Sequence, residues 1–114
     1  MNTFDFVPLL PALGSFRVYT KALTLAHTAY SLPIEGSLRD QLVRAGESVV
    51  LNVGEGAGSS TPATKRKHYA IARASVWELA TCMDLARLRG ISVDASVGSE
   101  LDEVNRMLTR LIRG

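Results

Sequence analysis

Two histidines and one cysteine are the side chains of this chain best suited to metal binding or nucleophilic attack, and their placement assembles neither. His27 and His68 stand on different segments, and neither belongs to a Glu-x-x-His pair of the kind that di-iron helical bundles use. A metal site needs three or four converging ligands, which these neighbourhoods do not supply. Cys82 has no Cys or His near it in sequence to activate the thiol, so a buried, inert side chain is expected. The run Gly54-x-Gly56-x-Gly58-Ser59-Ser60-Thr61 has the outward look of a phosphate loop, yet it lacks the Gly-Lys-Ser/Thr ending and follows no strand. It reads as a helix end and a loop. Lacking a convergent set of reactive groups, the sequence predicts a protein that is not an enzyme, with no catalytic residue, no metal site and no cofactor.

The charged residues offer a different chemistry. Lys65-Arg66-Lys67-His68 is a basic cluster, and Arg106, Arg110 and Arg113 recur at spacings of about one helical turn. Both groups are candidates for contact with nucleic acid, in a mode that would be weak, sequence-nonspecific and steeply weakened by salt. The plainer reading of each is a solvated basic surface. No aromatic platform accompanies them, which argues against recognition of single strands by base stacking. The net charge of +2 allows an acidic partner without requiring one.

Helices must position these groups. The chain has 114 residues, enough for one domain with one core, and its hydrophobic share of 46% is that of a folded protein. A lone cysteine cannot form an internal disulfide, so a reducing cytoplasm is the expected location. Residues 4–13 are apolar but carry Asp5 and are broken by Pro8 and Pro11, so they are neither signal peptide nor membrane span. Pro and Gly divide the chain into an irregular arm over 1–14 and a domain over 15–114. Within the domain the spacing predicts four helices, at about 15–31, 37–57, 62–89 and 95–113. Ser15 and Ser37 are candidate N-caps, and Thr61 followed by Pro62 is a strong helix start. Gly90 is the stop for the third helix. No segment alternates with period two, and short connections favour antiparallel neighbours, so the expected fold is an all-α, up-down four-helix bundle.

The second and third helices carry most of the information. Beside its core stripe, the second presents a polar stripe of Gln41, Arg44, Ser48, Asn52 and Glu55. Gly46, Gly54 and Gly56 each lower helix propensity by about 1 kcal/mol relative to Ala, a loss more easily tolerated where another backbone comes close. The third helix has two apolar arcs. Ala72, Val76, Leu79, Met83 and Ala86 suit a core; Ala70, Ala74, Trp77, Leu85 and Leu88 form the other. One buried stripe suffices in a monomeric bundle, so the arc around Trp77 is a candidate oligomer interface. The plainer alternative is a Trp lying over the bundle edge.

The string Gln41-Leu42-Val43-Arg44-Ala45, then Ser48 and Asn52-Val53-Gly54-Glu55-Gly56, then Ala72-Arg73-Ala74-Ser75-Val76-Trp77-Glu78-Leu79, resembles the "four helix bundle protein" family. Its members are encoded by intervening sequences in bacterial 23S ribosomal RNA genes or stand alone in bacteria. The resemblance extends from about Phe16 to Ile112. It implies a ring-shaped homopentamer of four-helix bundles without a known enzymatic activity. One branch serves diversity-generating retroelements as a markedly basic accessory protein that contacts nucleic acid and a reverse transcriptase. Here 13 basic residues face 11 acidic ones, so the stand-alone group is the expected placement.

The resulting expectation is a non-enzymatic oligomeric scaffold or adaptor with an unidentified protein partner and no membrane association; the alternative is the nucleic-acid module through Lys65, Arg66, Lys67, Arg106, Arg110 and Arg113. The motif residues Arg44, Asn52, Glu55 and Glu78 are expected to form a structural polar network between the second and third helices. Arg44 and Glu55 lie about 16 Å apart along one helix, too far to pair. Antiparallel packing puts Glu78 level with Arg44, predicting a bidentate ion pair there. Asn52 and Glu55 would satisfy backbone donors at the start of the third helix.

Overall fold

A computed structural model of the chain describes residues 6–114 and is all-α among them. A short turn, α1 (Pro11–Gly14), precedes four long helices: α2 (Arg17–Ser31), α3 (Ser37–Gly58), α4 (Pro62–Leu88) and α5 (Ser96–Arg113). The expected irregular arm thus ends in helical structure, with Pro11 at the first position, where its missing N–H is not needed. Residues 1–5 of that arm lie outside the described residues.

The long helices close on one another in the order α2, α3, α4, α5, with α5 returning to α2. Cross-contacts set their directions. Tyr30 meets Glu47 near one end of the α2/α3 pair and Tyr19 approaches Gly54 near the other. Ser48 meets Ser75 and Asn52 meets His68 between α3 and α4. Trp77 meets Asn105 and Arg73 meets Thr109 between α4 and α5. In every pair one number rises as the other falls, so neighbours run antiparallel. All four helices fill one core, with Val18 and Leu25, Leu42, Val49 and Val53, Leu79, and Val104 and Leu108 fully buried. At about 25 cal/mol per Å² of apolar surface, this burial is the main force holding the bundle.

The helix ends show which sequence signals prevail. Thr61 caps α4, its hydroxyl oxygen accepting the Thr64 N–H at 3.2 Å, with Pro62 behind it. At the other end Gly90 takes φ +88°, the Gly90 N–H donates to the Arg87 carbonyl, and the Ile91 N–H donates to the Ala86 carbonyl. These two bonds make a Schellman stop. Ser37 and Ser15 do not act as expected. Gly36, at φ +83°, stands at the cap of α3 without a side-chain bond. Phe16 caps α2, while Ser15 hydrogen-bonds back to the Ala12 carbonyl. Asp94 leads α5, its carboxylate accepting the Ser96 N–H at 2.9 Å, and that bond holds its pKa below the usual range.

Candidate functional site

The polar stripe of α3 splits into two rows. The inner row faces α4. Ser48 and Ser75 hydroxyls share a 2.7 Å hydrogen bond, and the Asn52 amide donates to the Ser48 carbonyl at 2.9 Å and to its hydroxyl at 3.2 Å. The Asn52 carbonyl oxygen lies 3.1 Å from His68 Nδ1, and His68 Nε2 lies 3.8 Å from the Glu55 carboxylate. With its amide nitrogen already donating to Ser48, Asn52 offers His68 an acceptor, so His68 Nδ1 carries the proton. Asn52 therefore does join a network across α3 and α4, with His68 as its partner rather than the free backbone donors of α4. Glu55 lies beside the other ring nitrogen at 3.8 Å, a contact that becomes an ion pair only when the imidazole carries both protons.

The outer row corrects the expected ion pair. Arg44 and Glu78 are both exposed, and among the described residues neither makes a hydrogen bond or an ion pair within 4.0 Å. Their level along the bundle is as expected, since Ser48 against Ser75 places position 44 about one turn further, beside 78 and 79. Stepping from Ser48 to Arg44 and from Ser75 to Glu78 swings the two positions out of the seam by about 40° and 60° to the same outer side, where both side chains are exposed. Both still flank Cys82. Burial and then the Glu78 carboxylate push that thiol's pKa up, while Arg44 pulls it down. Cys82 itself is buried and unpaired with any other cysteine.

Beyond Glu78 the outward face of α4 is largely apolar. Ala70, Ala74, Leu85, Leu88 and Trp77 are all exposed, Trp77 by 65% and Leu88 by 83%. Trp77 leans toward α5, where its indole N–H donates to Asn105 at 2.9 Å. That bond fixes the ring without covering it. Ile71 adds a further exposed apolar side chain.

The two basic clusters lie toward the same end of the bundle. The Arg73–Thr109 contact sets the start of α4 beside the end of α5, and Arg17, at the start of α2, shares a shallow groove with Arg110. Arg66, Lys67, Arg110 and Arg113 are exposed there. Lys65 is not available in the same way. Its ammonium donates to the Gly56 and Ala57 carbonyls at 3.0 and 2.9 Å, so it closes the C-terminal end of α3. Arg106 holds Asp102 at 2.7 Å. Arg17 and Lys21 both reach Glu103, at 2.8 and 3.0 Å, and hold its pKa below the usual carboxylate range. The parts of Arg17, Arg73 and His68 were missed from sequence because each depends on which helix lies alongside.

A cavity of about 560 Å³ lies between α2 and α3, lined by Phe6, Leu23, Ala26, His27, Tyr30, Glu47, Val50 and Leu51. At its rim the Tyr30 hydroxyl donates to Glu47 at 2.7 Å, and this bond, with some burial, raises the tyrosine pKa. No group of three or more His, Cys, Asp or Glu side chains able to hold a metal occurs among the described residues. No helix there is long and apolar enough to cross a membrane. No curated protein matches the chain. A family model described as 23S rRNA-intervening sequence protein matches residues 15–111.

Proposed function

The chain belongs to the 23S rRNA-intervening sequence protein family, and from that premise we propose that it works without chemistry of its own, as an oligomeric helical scaffold for protein partners in the cytoplasm. The observation that carries this reading is the outward face of α4. Ala70, Ala74, Trp77, Leu85 and Leu88 lie along a helix that already has a complete core face in Ala72, Val76, Leu79, Met83 and Ala86. An exposed, largely apolar face of this kind, broken only by Glu78 and Thr81, supports a protein interface. Trp77 at its centre is the residue type most often dominant in such contacts. A homopentamer is the assembly the family resemblance favours. Light scattering at micromolar concentration tests it, with a mass several times the 12.3 kDa chain expected. A mass of one chain refutes it.

A second reading has its own observation, the placement of exposed basic residues toward one end of the bundle. Arg66, Lys67, Arg110 and Arg113 together suit a phosphate backbone, and repetition around an oligomer multiplies them. Replacing Arg66 and Lys67 with Gln should weaken binding to duplexes of any sequence and flatten its salt dependence. Pull-downs with and without nuclease separate the two readings: protein partners that survive nuclease favour the scaffold, and nuclease-sensitive recovery favours the nucleic-acid module.

A further inference from the structure

We propose that the cavity between α2 and α3 is a binding site for a small amphipathic amine, its apolar body held against Leu23, Ala26 and Val50 and its ammonium group on the Glu47 carboxylate. The walls of this cavity come from the arm, α2 and α3, with no contribution from α4, so the proposal stands apart from the oligomeric reading above.

The cavity follows from how α2 and α3 meet. A Cβ built at Gly46 would lie 3.2 Å from Ala29 Cβ and 3.4 Å from Ala26 Cα, so the two backbones come close there through small residues. Ala26, 6% exposed, forms the floor beside that approach, while Leu23, Val50 and Leu51 stand around it as apolar walls. Phe6 of the arm adds an aromatic edge. A volume of about 560 Å³ is ample for a small molecule, and an apolar lining with a few placed polar groups is the usual build of such sites.

The rim selects the head group. Glu47 accepts the Tyr30 hydroxyl at 2.7 Å, and among the described residues no basic side chain reaches its carboxylate within 4.0 Å. Arg39, about two turns earlier on α3, is turned instead to the carbonyls of Leu32 and Tyr30. The single hydroxyl proton of Tyr30 is engaged with Glu47, so the pair presents oxygen acceptors and a negative charge to whatever enters. An ammonium group supplies three donors and the complementary charge. The Tyr30 ring beside it adds cation–π attraction. An alcohol brings one donor without charge, and a carboxylate meets repulsion.

Three probes that share one body and differ in the head test this on the full chain: phenethylamine, phenethyl alcohol and hydrocinnamate, each titrated against methyl-labelled protein by NMR. The amine should bind about tenfold more tightly than the alcohol, with shifts confined to the methyl groups of Leu23, Ala26, Val50 and Leu51. Glu47→Gln should abolish that preference and leave the alcohol unchanged; circular dichroism should show intact helicity, since Glu47 is exposed. Leu51→Asn, at a wall position 61% exposed, should weaken amine and alcohol by the same factor. Should Glu47→Gln lose helicity, the wild type decides: added salt should shrink the amine preference without touching the alcohol, and a preference indifferent to salt refutes the carboxylate's role. Equal binding of amine and alcohol, a preference that survives Glu47→Gln, or shifts spread over the outward face of α4 would each overturn the proposal. Hydrocinnamate binding as tightly as the amine would show that His27, also on the wall, sets the head group, and would overturn it too.

Discussion

Ala at position 56 should destabilise the bundle even though Ala is the better helix former. Gly56 is buried in α3, and a Cβ built there would lie 2.5 Å from Tyr69 Cε1 and 2.9 Å from its Cδ1. That ring cannot easily withdraw: Tyr69 is only 5% exposed, and Phe16 packs at a centroid distance of 6.4 Å. Overpacking of this kind costs about 1–3 kcal/mol. The helix-propensity gain returns about 1 kcal/mol, leaving a net loss of up to about 2 kcal/mol. Gly54, two residues earlier, is the control. Its Cβ would meet Tyr19 Cε1 at 3.5 Å, an ordinary contact, so Gly54→Ala should gain up to about 1 kcal/mol. Thermal melts by circular dichroism at one fixed protein concentration would resolve the two, because each kcal/mol moves the midpoint by roughly 4 °C in a domain of this size. If Gly56→Ala melts at or above the wild type, the tight Gly56–Tyr69 contact does not constrain the fold.

Three further outcomes follow from the helix ends and the salt links. Gly90→Ala should cost about 1 kcal/mol in urea melts, since the Schellman stop of α4 needs φ +88° there, and an unchanged midpoint would contradict it. Lys65→Met should lower stability by about 1 kcal/mol by leaving the Gly56 and Ala57 carbonyls to water, with Lys65→Arg recovering part of the loss. Glu103 has its pKa depressed by Arg17 and Lys21, so its contribution is present above the ordinary carboxylate pKa and lost as pH falls through the lower folded value. Glu103→Gln should therefore melt below the wild type at neutral pH, and the gap should close in acid; a gap that is independent of pH would show that the carboxylate charge is irrelevant.

Periodicity and punctuation made the helices legible. The core stripe of α3, from Leu38 through Leu42, Ala45 and Val49 to Val53, is buried throughout, and Thr61-Pro62 and Gly90 bound α4 by mechanisms visible in the residue types themselves. Local signals were weaker where two candidates competed. Ser37 lost the cap of α3 to Gly36 because the chain arrives there with φ +83°, which only the glycine adopts without strain. Lys65 illustrates a deeper limit. Its charge at the start of α4 opposes that helix's own dipole, and reads as a misfit until the end of α3 is found within reach of its ammonium. The helix it serves is not the helix it belongs to, and only the packing of the two reveals it.

The same distinction explains how one motif comes to hold two kinds of residue. A helix interface about 100° wide takes in Ser48 and Asn52 but not Arg44, whose Cα lies a further turn along and some 40° outward. Axial spacing alone, which sequence gives directly, cannot separate them; the angle at which α4 meets α3 does. Once that angle is fixed by the Ser48–Ser75 bond, the small polar residues become the inner seam and satisfy one another, as buried polar groups must. The long charged residues are left exposed on the outer edge, on one side of the seam, with no ion pair within 4.0 Å. Small polar side chains therefore bind the hairpin to itself, while the length and charge of Arg44 and Glu78 keep them in solvent at its outer edge.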